Sequence, residues 1–151
     1  MPDFPRAEQF EPVDAESDAR WRKFGKPGSG TFPAFLGLQV EEVRRGYCRL
    51  RLPFKPDLLQ AAGIMHGGAI ATLLDSALVP AIGAMLPPKS QYSTVDLHVQ
   101  FIGAVTEGDA IAEGWVVRQG KRTIFGESEA FDTSGRLIAK AVTTFSVRLP
   151  G

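Results

Sequence analysis

The residues that could do chemistry lie close together: His66, Gly67 and Gly68, then Asp75 inside the apolar run AIATLLDSALVPAIGAML. A carboxylate among apolar side chains is costly to ionise without partners, and such groups usually have partners or a task. The histidine and glycines stand where a helix would begin. There, unpaired backbone N–H groups and the positive end of the helix dipole favour a developing negative charge. Two glycines also let a substrate carbonyl approach the backbone closely. That is an oxyanion-hole design. Each part has a plainer reading: Asp75 facing a water-filled seam or capping a neighbouring element, and the glycines as turn residues.

The apolar run has no period-two alternation and is long enough for about five helical turns. As a helix it carries Ile70, Leu73, Leu74, Ala77 and Ala81 on one stripe and Ala71, Val79, Ile82 and Leu86, with Asp75, on another. Such a helix is expected to be buried nearly all round, with a kink at Pro80. Asp75 follows His66 by nine residues, which on a straight helix is about 13.5 Å further along and on roughly the opposite face. One chain does not easily bring both groups to one atom. A twofold dimer, in which the amide end of one helix meets the carboxylate of the other, is the simplest geometry that does.

The positioning elements are strands. LQVEEV and CRLRLP read as a hairpin turned at Arg45 and Gly46, and STVDLHVQF, AIAEGWVVR, TIFGESEAF and RLIAKAVTTFSVR follow the helix, separated by EGD, QGKR and DTSG turns. Six strands and one long helix without further alternation specify an α+β domain, an antiparallel sheet packed around that helix. Residues 1–30 read as an N-terminal arm, an appendage with a short helix capped by Asp14 and ending at Gly25, joined by the flexible GKPGSG stretch; residues 31–151 are the domain.

Bulk properties narrow the classes. Of 151 residues, 44% are hydrophobic, enough for a real core, and 17 basic residues balance 17 acidic ones with no basic stripe, which argues against nucleic acid. Cys48 is the only cysteine, so no internal disulfide or thiolate metal cluster forms, as suits a reducing compartment; it reads as a packing residue. The first twenty residues have no apolar signal core and are acidic, so cytoplasm is the expected location. A membrane span over residues 67–86 is disfavoured by Asp75, since a mid-membrane carboxylate costs about 2.5–3.5 kcal/mol.

QAAGIMHGGAIATLLD, from Gln60 to Asp75, resembles the helix-start motif of hotdog-fold thioesterases of the phenylacetate-pathway type. The resemblance continues in GLQVEEVRRGYCRLRLPFKPDLL, STVDLHVQFIGAVTEGD and GRLIAKAVTTFSV, leaving only the arm outside. It implies one hotdog domain, a homodimer with two shared sites, often paired again into a tetramer, and hydrolysis of acyl-CoA with no metal or cofactor, CoA being part of the substrate. Asp75 then matches the carboxylate that activates water or attacks the thioester. The Gly67 amide matches the oxyanion donor, with His66 shaping its loop, and Gly68 is a candidate substrate-binding residue. Thr94 matches a hydroxyl that orients water; by plain alternation it shares a strand face with Asp96, His98 and Gln100, and it can equally be an ordinary strand residue. Gln60 departs from the family's usual asparagine. Arg118, Lys121 and Arg122, in the RQGKR turn, match a basic hairpin near the CoA phosphates, against the plainer reading of a solvated turn.

Three rivals remain on sequence. A non-catalytic acyl-CoA or ligand-binding hotdog protein disarmed at Gln60 comes first. A hydratase acting on enoyl thioesters lacks the expected acid and histidine spacing, and a purely structural domain leaves Asp75 unexplained.

Overall fold

Period-two alternation produces six strands: β1 (Gln39–Arg44), β2 (Tyr47–Leu52), β3 (Gln91–Phe101), β4 (Ala110–Gln119), β5 (Thr123–Asp132) and β6 (Leu137–Arg148). The structure, a computed structural model, describes residues 2–151. All strand pairs are antiparallel, in the order β1-β2-β4-β5-β6-β3. Two short helices, α1 (Ala15–Trp21) and α2 (Phe32–Leu36), precede the sheet, and the long helix α3 (Gly67–Gly83) lies between β2 and β3. This is the α+β architecture that the sequence predicts. Among the described residues no helix is long and apolar enough to cross a membrane.

The sheet curls around α3, which touches every strand. Ile70, Leu73, Leu74, Ala77 and Ala81 are buried against Cys48, Leu50 and Leu52 of β2 and Ala110 and Ala112 of β4. Removing a side chain such as Leu74 from this core costs roughly 2–5 kcal/mol. Small residues set the approach: a Cβ at Gly114 would lie 2.9 Å from that of Ala77, so any side chain there would push the helix off the sheet. Carbonyls of the last turn find donors outside the helix, Val79 from the Tyr92 hydroxyl at 2.8 Å and Ala81 from the Gly46 N–H at 3.1 Å.

Two expectations are corrected. The helix is not buried nearly all round: Ala71, Thr72, Asp75 and Val79 form a half-buried stripe. Nor is the arm an appendage. Its first residues lie across the outer face of the sheet, with Phe4 edge-on to Phe131, Phe10 stacked on Tyr47 and Ala7 buried. Arg6 spans Glu113 at 2.8 Å and the Trp115 ring at 3.7 Å. Asp14 does cap α1, accepting the Ser17 N–H at 2.7 Å.

β1 and β3 are the two edges of the sheet. β3 runs eleven residues and pairs only with β6 among the described residues, and Val95 (62%) and Phe101 (56%) on it are exposed. A long edge with apolar residues on it is a template for another strand.

Candidate active site

The segment before α3 is folded by its own backbone. Leu59 bridges to Met65, the Gln60 N–H donates to the Ile64 carbonyl, and Gly63 closes the turn with a positive φ. Met65 and His66 are then tied by their amides to the carbonyls of Val105 and Leu58, each at 2.7 Å. This delivers His66 to the N-cap, where its Nδ1 accepts the Gly68 N–H at 2.8 Å. The imidazole thus serves as the cap of α3. The Ala69 and Ile70 amides take the His66 carbonyl. Of these opening amides, the Gly67 N–H alone is left without an acceptor among the described residues. It is a free donor at the positive end of a helix of seventeen residues.

The space beside Gly67 is not open. A Cβ built there would meet the Phe101 ring at 3.1 Å. The missing side chain makes room for an aromatic ring of the same chain, where the sequence suggests room for a substrate.

Asp75 stands two turns further along on the half-buried stripe. Thr94 donates its hydroxyl to Asp75 Oδ1 at 2.8 Å, and Oδ2 has no hydrogen-bond partner among the described residues. Burial pushes the Asp75 carboxyl above the usual aspartate range, and the Thr94 hydrogen bond partly offsets it. The result is a carboxylate with one oxygen held and one available, more basic than an ordinary aspartate.

Thr94 reaches Asp75 because of a register shift. The ladder with β6 runs Thr94 to Phe145, then Asp96 to Thr144, which leaves Val95 as a bulge. Thr94 therefore lies on the helix side with buried Phe145. Asp96, His98 and Gln100 pair with Thr144, Val142 and Lys140 and face outward, so the shared face expected from plain alternation is corrected.

The remaining predicted residues are placed as follows. Gln60 is half-buried in the turn before α3, and its side-chain carbonyl accepts the Ala62 N–H. Gly68 is engaged by His66. Arg118, Lys121 and Arg122 are exposed at the β4–β5 turn. The ladder row from Thr94 passes through Phe145 and Ile124 to Gln119, so that turn lies three strands, about 14 Å, from Thr94. Among the described residues no three His, Cys, Asp or Glu side chains gather to hold a metal ion.

Within one chain the free amide and the carboxylate do not meet. Eight residues of helix separate Gly67 from Asp75, about 12 Å. The first amide of a helix also points out of its N-terminal end, away from the later turns.

Both the free donor at the helix start and the carboxylate two turns on fall inside a known family pattern: the thioesterase superfamily description matches residues 62–139. The chain belongs to the thioesterase superfamily. A candidate esterase of Saccharolobus solfataricus is similar to it at 32% identity over 113 residues, 75% of each chain. A solved thioesterase family protein from Silicibacter pomeroyi superposes with a TM-score of 0.72 at 26% identity, covering 78% of this chain and 88% of its own. The PaaI protein of the E. coli phenylacetic acid degradation operon superposes with a TM-score of 0.71 at 19% identity, covering 78% and 83%, a likeness of fold. The fold of this thioesterase-superfamily hydrolase is thus the hotdog fold. Phe101 is the feature that sequence reasoning missed; its only signal was an aromatic ending an alternating strand.

Proposed function

We propose that this protein is an acyl-CoA thioesterase whose active sites are shared between the two subunits of a homodimer. The observation that carries the reading is the pairing of an unused Gly67 amide with an under-partnered Asp75 that the same helix keeps about 12 Å away. The unpaired β3 edge supports the means of bringing them together. Asp75 belongs to one end of β3 through Thr94, and Gly67 to the other through Phe101. Two β3 edges paired antiparallel about His98 would set Leu97 against the partner's Val99, both facing the helix side. The Thr94–Val95 bulge would then stand against the partner's Phe101. Each Asp75 would come beside the other subunit's Gly67. Exposed Phe125 and Val142 on the outer face support a second pairing of dimers.

In this reading the thioester carbonyl oxygen accepts the Gly67 N–H of one subunit, a preorganised donor of a kind that contributes roughly 2.7–4 kcal/mol to the transition state. Asp75 of the other subunit accepts a proton from water through its free oxygen while Thr94 holds the other. The water oxygen bonds to the carbonyl carbon, the oxyanion forms at Gly67, and collapse breaks the carbon–sulfur bond. The departing thiolate takes the proton from Asp75. Direct attack by Asp75, through a mixed anhydride that water then hydrolyses, uses the same geometry. Arg118, Lys121 and Arg122 would meet the CoA phosphates as point and fork charges.

Gln60 favours one rival. Its side-chain carbonyl is held within its own turn by the Ala62 N–H, which ties the amide to that turn and would suit a protein that binds acyl-CoA without turnover. A thiol-reagent assay of CoA release from short, long and aromatic acyl-CoAs separates the two. Steady release by the wild type, lost in Asp75→Ala, supports the thioesterase; saturable binding without release supports the rival.

A further inference from the structure

We propose that Phe101 determines acyl specificity: its ring, laid on Gly67, is the wall against which the α- and β-carbons of an apolar acyl group pack. The inference rests on the reading of Gly67 as oxyanion donor and adds the substrate class. Three ring atoms of Phe101 lie 3.1–3.6 Å from where a Gly67 Cβ would be, so the ring sits on the residue that owns the free amide. A carbonyl oxygen hydrogen-bonded to that amide lies about 2.9 Å from its nitrogen. The acyl α-carbon is two bonds further on, which brings it and its neighbour within van der Waals reach of the ring.

Packing inside the chain does not use the ring up. Phe101 is 56% exposed and Ile102 53%, in contrast to Val99, two residues back on the same face, which is packed against the core. In the proposed dimer the partner's Thr94–Val95 bulge covers part of this ring, and what remains beside the unused donor offers a substrate one polar anchor and one apolar surface, the usual composition of a small-molecule site. The surface discriminates against acyl groups that carry a second carboxylate. A carboxylate near the carbonyl would meet the negative face of the ring.

The test compares wild type, Phe101→Ala and Phe101→Leu on acetyl-, hexanoyl-, phenylacetyl- and succinyl-CoA. Phe101→Ala is expected to lower kcat/KM for hexanoyl- and phenylacetyl-CoA by about tenfold or more, and for acetyl-CoA by less than about threefold. Phe101→Leu should recover most of the hexanoyl activity, and succinyl-CoA should be the poorest substrate of wild type. Equal losses on acetyl- and hexanoyl-CoA would make the ring a mere support for the Gly67 loop and overturn the proposal; so would no loss. Calorimetric titration in an Asp75→Asn background separates this outcome from failure of the hydrolytic reading. There, Phe101→Ala should weaken hexanoyl-CoA about tenfold and leave free CoA unchanged, whether or not wild type releases CoA. Unchanged hexanoyl-CoA affinity, or no binding of any acyl-CoA, overturns it.

Discussion

Two carboxylates in this protein, Asp75 and Glu113, are pushed above their ordinary range by burial, and they are furnished differently. Glu113, on the outer face of β4, is 4% exposed and accepts the Tyr47 hydroxyl and the Arg6 guanidinium, each at 2.8 Å. Asp75, at the β3 edge, has the Thr94 hydroxyl alone. Burial raises both above their ordinary ranges. At Glu113 a cation and a phenol answer the charge, and the arm seals the group in. At Asp75 one oxygen is left free on a half-buried stripe beside an unpaired strand. A saturated carboxylate holds a structure together, whereas an unsaturated one is available to a reactant.

Substitution at the two sites should therefore produce opposite phenotypes. Asp75→Ala is expected to lower CoA release by roughly 100- to 10,000-fold with the urea midpoint held or raised. Glu113→Ala should leave kcat within about twofold while costing roughly 2–4 kcal/mol of stability, because Arg6 and Tyr47 lose a buried partner. A large rate loss from Glu113→Ala would erase the distinction.

A smaller effect is expected at Thr94. Thr94→Val keeps the shape and removes the donor, and kcat should fall about tenfold. Because the Thr94 hydrogen bond lowers the Asp75 pKa, its loss should also move the acidic limb of the rate profile to higher pH. In wild type that limb, on which rate rises with pH as Asp75 ionises, should already lie above the ordinary aspartate value of about 3.9. A limb at or below that value would contradict the burial argument.

The smallest effect concerns stability. Since Asp75 has its pKa raised on folding, the stability it contributes is present below the unfolded pKa and is lost as pH rises through the folded one. At neutral pH Asp75→Asn removes that penalty, so the melting temperature should rise slightly at pH 8 and show no gain near pH 3. Such trades of stability for function are expected at sites of this kind.

Much of this was legible in the sequence because it is local. The predicted strands agree with β1–β6 to within two residues at each boundary. Asp14 announced α1, and HGG followed by the apolar run announced the start of α3. The resemblance supplied the roles of Asp75 and Gly67. What alternation could not give was the bulge at Val95, which sends Thr94 inward and Asp96 outward through a single unpaired residue. Nor could it give contacts between distant parts of the chain. Arg6 meets Glu113 across 107 positions, and the arm, read as an appendage, closes the outer face by that pairing. Phe101 reaches Gly67 only because β3 returns past the start of α3. Gln60 could be named as a departure, yet its engagement with Ala62 follows from the turn geometry at Gly63.

The shared site is tested most directly by a tagged, purified heterodimer of two defective subunits, one carrying Asp75→Ala and the other Gly67→Pro. Proline is tolerated at the first helical position, and His66 already has the extended conformation that a following proline requires, so the change removes the Gly67 N–H; its Cβ also pushes on the Phe101 ring of the same chain, a second injury to the same site. Each homodimer should be impaired at both sites. The heterodimer pairs an intact Asp75 with an intact Gly67 at one of its two sites and should regain about half of wild-type activity. A heterodimer no more active than its parents would mean that donor and carboxylate act within one chain or not together at all, and would contradict the account.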